Sequence, residues 1–184
     1  TIDGAGKEYT GIMTGDAGMT VAVQNLDFVG GRFTKETKST SGTYTFKNCT
    51  FDGNNNTLPY ALRFKGATKV TVEDCTVKNY LYSFLYIANA ATTVNVKNVT
   101  VEDCPDYAVY FASGVTNSTI ENLTVKNSDN GIVYNNTANR AFNLKDCTFE
   151  NVATAINAAG NGDKSITCNM SGTNDFGTSV LNQY

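Results

Sequence analysis

A ten-residue segment recurs six times along the chain at intervals of 23 to 26 residues, and this regularity limits the possible folds more than any other feature. Most copies follow the pattern apolar-x-apolar-charged-Asn/Asp-apolar-Thr-apolar-x-Asn/Gly. The copies are VAVQNLDFVG (21–30), YTFKNCTFDG (44–53), VTVEDCTVKN (70–79), VNVKNVTVED (94–103), STIENLTVKN (118–127) and FNLKDCTFEN (142–151). Repeats of roughly 20 to 50 residues are typical of solenoids, in which each repeat buries its apolar face by stacking on its neighbours.

The alternation of apolar and polar residues within each copy is typical of strands with one buried face. A second apolar series runs between the copies, each member following a small residue: Leu62, Phe84, Val109, Ile132 and Ile156. The sequence therefore predicts an all-β chain, a parallel β-helix with about seven coils of ~24 residues and three short strands per coil. A β-sandwich is the alternative, but it does not require the same residue class at the same phase in six segments.

Asparagine, aspartate and glycine occupy two positions of the repeat, and these residues tolerate left-handed backbone conformation. The fifth position holds Asn25, Asn48, Asp74, Asn98, Asn122 and Asp146, and the tenth holds Gly30, Gly53, Asn79, Asp103, Asn127 and Asn151. We expect a bend at each tenth position and hydrogen bonds along the solenoid axis at each fifth. The composition agrees, because Thr (26) and Asn (23) are abundant and Leu (8) is scarce among the 184 residues.

The N-terminal TIDGAGK (1–7) and blocks such as VTVEDCTVKN and GIVYNNT resemble the right-handed parallel β-helix, or pectate-lyase-like, superfamily. The resemblance covers nearly the whole chain and implies that the coils wind in a right-handed sense. It does not specify an activity, because the superfamily includes lyases, hydrolases, epimerases, phage tailspikes and non-catalytic adhesins. We expect one β-helix domain over residues 1–184, as a fragment of a longer secreted protein.

Several classes of function are disfavoured by what the sequence lacks. The chain has no histidine, which excludes a Ser-His-Asp triad. Its net charge of −3 does not indicate binding to nucleic acid, which requires clustered excess Lys and Arg. The chain contains no run of 18 apolar residues, so no transmembrane helix is predicted. Hydrolases that resemble polygalacturonases need an adjacent Asp pair and a Gly-His-Gly, and neither is present. Calcium-dependent lyases need several acids around the metal and a basic residue, so calcium is expected only under that alternative, and no other cofactor or metal is expected.

The strand between the repeat copies carries the candidate binding residues. Its outward column is predicted to be apolar and aromatic, and tyrosines and aspartates occupy the nearby bends. Such a surface is suited to contact with sugars or with another protein. The candidate binding residues are Arg63, Tyr82, Leu85, Asp106, Tyr107, Tyr110, Asp129 and Val133. No residue is assigned a catalytic or a metal-binding role.

These features favour a non-catalytic β-helix module of a secreted or cell-surface protein, adhesin-like and bacterial. Its expected partner is a polysaccharide, or a glycan or protein of a host surface, and other domains of a longer chain are expected beside it. The first alternative is a polysaccharide lyase or glycoside hydrolase of the resembled superfamily, with a lyase favoured over a His-dependent hydrolase. The second alternative is a structural spacer.

Overall fold

The chain folds as a parallel β-solenoid in a computed structural model that describes residues 1–55, 57–89, 91–112, 114–135, 139–158 and 165–183. All the strands pair in parallel with their counterparts one coil away. The strands are β1 (Ile2–Tyr9), β2 (Ile12–Gly15), β3 (Thr20–Val29), β4 (Arg32–Lys35), β5 (Thr43–Lys47), β6 (Thr50–Asp52), β7 (Tyr60–Phe64), β8 (Ala67–Lys78), β9 (Ser83–Ile87), β10 (Ala91–Glu102), β11 (Tyr107–Phe111), β12 (Asn117–Tyr134), β13 (Arg140–Lys145), β14 (Thr148–Ala158), β15 (Ile166–Ser171) and β16 (Val180–Gln183).

The coils present three faces, as the repeat predicts. The first face carries residues one to four of each repeat copy, and the second carries residues six to nine. The third face is built from β2, β4, β7, β9, β11, the ends of β12 and β14, and β16. Some strands continue through the bends, and β12 spans all three faces. A bend made by a single residue leaves the hydrogen-bonded ladder unbroken, so the three short strands of a coil merge there.

The left-handed conformation occurs at every fifth position and at five of the six tenth positions, Gly53 being the exception. Every fifth-position residue has a positive φ, from 50° at Asn48 to 54° at Asp74, and the tenth-position residues Asn79, Asp103, Asn127 and Asn151 do the same. The predicted axial ladder is also present. The Asn98 amide donates to Asp74 Oδ1 at 2.8 Å, and the Asn122 amide donates to Asn98 Oδ1 at 3.0 Å.

Replacement of Asn98 separates the contribution of the side-chain hydrogen bonds of this ladder from that of the left-handed backbone conformation. Asn98→Gly keeps the backbone conformation and removes two exposed side-chain hydrogen bonds, so we expect a loss of about 1 kcal/mol in the free energy of unfolding. Asn98→Ala also places a Cβ in the left-handed region, and we expect a loss of about 2 kcal/mol. Urea denaturation monitored by circular dichroism measures both losses. Equal losses for the two variants would contradict the role of the backbone.

The interior is a single column of stacked apolar side chains. Aromatic rings fill its N-terminal part, where Phe28 stacks on Phe51 with ring centroids 4.6 Å apart. Valines dominate the middle coils, and the sixth-position cysteines Cys49, Cys75 and Cys147 are buried free thiols among them. The alternating charges on the outer faces pair along the axis, for example Lys47 with Glu73 at 3.3 Å and Lys126 with Glu150 at 2.9 Å. These exposed pairs favour the observed register of the coils, because a shift by one coil brings like charges together.

Candidate functional site

Five tyrosines form one continuous cluster on the third face, and we call this surface the tyrosine face: Tyr60, Tyr82, Tyr86, Tyr107 and Tyr110. The rings of Tyr86 and Tyr110 lie one coil apart and are nearly parallel, with centroids 5.0 Å apart and an interplanar angle of 4°. Tyr60 packs on Tyr86 at 4.7 Å, and Tyr107 packs on Tyr110 at 4.7 Å. Since parallel strands stack in register, aromatic residues at one phase of successive coils contact one another along the axis.

The outermost ring of this cluster belongs to Tyr82, which is 41% exposed and lies 5.8 Å from the Tyr60 ring. The other four tyrosines are half-buried, because the stacked rings cover one another's faces. The tyrosine face therefore presents ring edges and hydroxyl groups along most of its length, and the Tyr82 ring at one edge.

Most of the predicted binding residues lie on or beside the tyrosine face. Tyr82, Tyr107 and Tyr110 belong to it, and Arg63 lies over two of its rings, with its Cζ 5.8 Å from the Tyr60 centroid and 5.9 Å from the Tyr86 centroid. Asp106 and Asp129 lie on successive coils at the bend where the third face begins, since Asn130 N donates to Asp106 O.

The prediction that Leu85 faces outward is wrong. Leu85 is completely buried and pairs with the core residues Leu62 and Val109. Val133 does occupy the outward column, in register with Tyr110, but neighbouring groups cover it so that only 9% of it is exposed. Neither side chain offers a free apolar surface for binding.

The same error of phase hid Tyr86, the central residue of the tyrosine face. Phe84 was placed in the second apolar series because it follows a small residue, Ser83. In the structure, however, Ser83 pairs with Tyr60 and Tyr107. A slip of one residue turns every side chain of a strand to the opposite face. The spacing of the series held the necessary signal. Leu85 follows Leu62 by 23 residues and precedes Val109 by 24, whereas Phe84 gives 22 and 25. Tyr60 was also missed, because it stands at the start of its strand.

Arg63 is held in place by a carboxylate as well as by the two rings. Its Nη1 forms an ion pair with Glu36 Oε1, and Lys65 Nζ lies 2.7 Å from Glu36 Oε2. The hydrogen bond from Arg63 is the largest cause of the lowered pKa of Glu36. The adjacent Lys35 is fully buried and donates to the carbonyls of Thr37 at 2.8 Å and Ser39 at 2.7 Å, which closes the loop that carries Glu36. Glu36 therefore holds Arg63 in place and offsets one of the two positive charges at this end of the tyrosine face.

Three hydroxyls of the tyrosine face, those of Tyr60, Tyr86 and Tyr107, keep their protons at neutral pH. Burial raises the pKa values of Tyr60, Tyr86 and Tyr107, and the nearby Asp106 carboxylate adds to the rise for Tyr60 and Tyr107. The Tyr110 hydroxyl accepts a hydrogen bond from the Asn135 amide at 3.2 Å. Beneath the rings, the Ser83 hydroxyl is buried and makes no hydrogen bond within the described residues. The tyrosine face therefore offers hydroxyl groups that can both donate and accept hydrogen bonds.

The opposite end of the tyrosine face carries uncompensated negative charge. Asp106 and Asp129 are in register on adjacent coils, and among the described residues neither carboxylate forms an ion pair. Burial and repulsion from Asp129 raise the pKa of Asp106. An open groove of about 420 Å³ lies beside Asp129, lined by Pro105, Asn127, Ser128, Asp129, Asn151, Val152, Ala153 and Thr178.

Two further properties of the described part of the chain bear on its function. No three His, Cys, Asp or Glu side chains lie close enough together there to hold a metal ion. No helix among those residues is long and apolar enough to cross a membrane.

Comparison with known proteins agrees with the observed architecture. Residues 8–141 match the family described as a right-handed β-helix region. The chain therefore belongs to the right-handed β-helix family, which confirms the fold expected from the sequence and the sense in which its coils wind. The comparison with curated proteins gave no match, and neither did the comparison with solved structures.

Proposed function

We propose that this β-helix is a non-catalytic binding module of a secreted or cell-surface, adhesin-like bacterial protein, and that it binds a glycan along the tyrosine face. The observation that carries the proposal is the cluster of five contacting tyrosines on one face of the solenoid. Tyrosine combines an apolar ring with a polar hydroxyl, and this combination suits the apolar C–H faces and the hydroxyl groups of a sugar.

The arrangement of the rings favours binding in two ways. Rings that already pack on one another, and Arg63 held between them by Glu36, lose little side-chain freedom when a ligand binds. The tyrosine hydroxyls and the Asn135 amide can form hydrogen bonds with sugar hydroxyls, while the exposed Tyr82 ring can stack on a sugar face. A chain of sugars lying along the axis would meet these groups in successive coils.

Removal of the Tyr82 ring tests the proposal. A glycan array probed with the wild-type protein identifies a ligand. Isothermal titration calorimetry then compares the affinity of the wild-type protein for this ligand with the affinities of Tyr82→Ala and Tyr110→Ala. We expect each variant to bind at least about tenfold more weakly, because a few residues, tyrosine prominent among them, carry most of the binding energy of an interface. Tyr86→Phe keeps the ring and removes the hydroxyl, so it measures the contribution of hydrogen bonding separately.

Leu81→Ala is the matched control, since Leu81 lies in the same bend, is similarly exposed at 39% and belongs to no ring contact of the tyrosine face. We expect its affinity to equal that of the wild type. Wild-type affinity in both tyrosine variants would place the binding site elsewhere. If no glycan binds at all, the structural spacer becomes the better interpretation.

The enzyme alternative has weaker support. A lyase needs a neutral basic group to accept a proton from its substrate. Arg63, the basic residue over the tyrosine rings, instead makes the contacts of a guanidinium cation, with the Glu36 carboxylate and with two ring faces. Incubation of the protein with pectic and other uronic polysaccharides in the presence of calcium tests this alternative. New unsaturated or reducing ends would favour an enzyme over a binding module.

A further inference from the structure

The charges of the tyrosine face are distributed unevenly along the solenoid axis. At one end, Arg63 and Lys65 share the Glu36 carboxylate, and the rings of Tyr60 and Tyr86 cover the guanidinium. At the other end, the Asp106 and Asp129 carboxylates stand on adjacent coils without a cationic partner among the described residues. The two carboxylates at this second end are therefore available to a cationic ligand, whereas the cations at the first end already share a carboxylate.

The surroundings of the two carboxylates suit a small organic cation. Tyr82 precedes Asp106 in the same axial column, since Tyr107 N donates to Tyr82 O, and Asp106 interacts electrostatically with Tyr60 and Tyr107. Carboxylates together with aromatic rings attract ammonium groups. A divalent metal is a poorer fit, because calcium takes at least six oxygen ligands and the carboxylates here number only two.

We propose that Asp106 and Asp129 form a subsite for a protonated amino group, and that the glycan bound on the tyrosine face contains amino sugars without an acetyl group. This assignment rests on the proposed binding of a glycan to the tyrosine face. The ammonium group lies between the two carboxylates and relieves their mutual repulsion. The sugar ring that carries the ammonium group then extends toward Tyr82 on one side and the groove beside Asp129 on the other.

A pair of oligosaccharides that differ only in acetylation tests the assignment. Isothermal titration calorimetry with the full chain compares a glucosamine hexamer with an N-acetylglucosamine hexamer at low ionic strength and a pH at which the amines are protonated. We expect the glucosamine hexamer to bind at least about tenfold more tightly, because a hydrogen bond between charged groups is worth more than one between neutral groups. The preference should fall as salt is added.

Asp106→Asn and Asp129→Asn keep the shape of the side chains and remove one charge each. We expect each variant to lose about tenfold in affinity for the glucosamine hexamer and to keep its affinity for the acetylated one. Glu102→Gln is the matched control, since it removes an exposed carboxylate from the second face and should change neither affinity. Thermal unfolding of all three variants verifies that they fold.

The outcomes separate this assignment from the function on which it rests. Equal affinity for both hexamers, with loss in Tyr82→Ala but not in the Asn variants, would overturn the amine subsite and leave the glycan-binding function intact. No binding of any glycan would overturn both. Binding of a lysine-rich peptide that depends on Asp106, without binding of either hexamer, would overturn the assignment to a glycan. Calcium binding that is lost in Asp106→Asn would overturn the assignment to an amine.

Discussion

Phe46→Ala is expected to lower the free energy of unfolding by about 3–5 kcal/mol, the range typical of a buried phenylalanine replaced by alanine. Phe46 is completely buried, and its ring lies 5.0 Å from that of Phe33 and 6.0 Å from that of Phe51. Phe64 completes this contact at 6.5 Å. Removal of the Phe46 ring opens a cavity in the aromatic part of the core, where the neighbouring rings are fixed by the surrounding ladders and cannot move in to fill it. Urea denaturation monitored by circular dichroism measures the loss.

Val96→Ala provides the comparison, because Val96 occupies the same core position two coils later, where the interior is aliphatic. It removes fewer buried atoms, so we expect a clearly smaller loss than in Phe46→Ala. Phe46→Leu, which retains most of the volume, should fall between the wild type and Phe46→Ala. A stability of Phe46→Ala within about 1 kcal/mol of the wild type would contradict a tightly packed aromatic core.

The first two faces of the solenoid could be predicted from the sequence almost residue by residue. The six copies share one length and one pattern, and Asn or Asp at the fifth position sets the phase of each coil independently. Wherever one residue type has a single physical reason to recur, such as a backbone in the left-handed region, the sequence alone carries that position.

The third face was predicted less well, because no such marker sets its phase. Its strands begin after connections of different lengths. The phase was instead set by the small residue that precedes each apolar residue of the second series, and this gave the wrong phase at Ser83. The buried position in register with Ala61 and Ala108 holds Phe84, a large residue that this column accommodates. The same uncertainty affects the candidate site. Leu85 was predicted to face outward and is buried, whereas the neighbouring Tyr86 is the residue that faces outward.

The contact of Glu36 with Arg63 also could not be predicted from the sequence. The two residues are 27 positions apart, and their contact depends on the conformation of a loop that Lys35 closes through two backbone carbonyls. A buried lysine bonded to the loop that follows it has no signature in the repeat pattern. Which cations of a surface are neutralised, and which acids remain free, follows only from three-dimensional packing.

Gly131 shows how this packing limits the third face, and its replacement has the second large expected effect. Gly131 lies in the same buried column as Ala108 in the preceding coil and Ala155 in the next. A Cβ at this position would lie 2.5 Å from the Ala155 carbonyl oxygen and 2.5 Å from Cε1 of the Phe149 ring. We expect Gly131→Ala to lower the free energy of unfolding by about 3 kcal/mol, near the upper end for an overpacked core.

The coil before Gly131 shows why alanine is tolerated at Ala108 and not at Gly131. Ala108 has Val125 in the position that corresponds to Phe149, since Val125 and Phe149 are in register. Phe149→Val should therefore make room for the new methyl group. We expect the double variant Gly131→Ala/Phe149→Val to be more stable than the sum of the single losses predicts, by at least about 1 kcal/mol. Additive losses, measured by the same urea denaturation, would instead assign the effect to the Ala155 carbonyl. Close approach of the backbone, rather than packing of the Phe149 ring, would then be the reason for glycine at position 131.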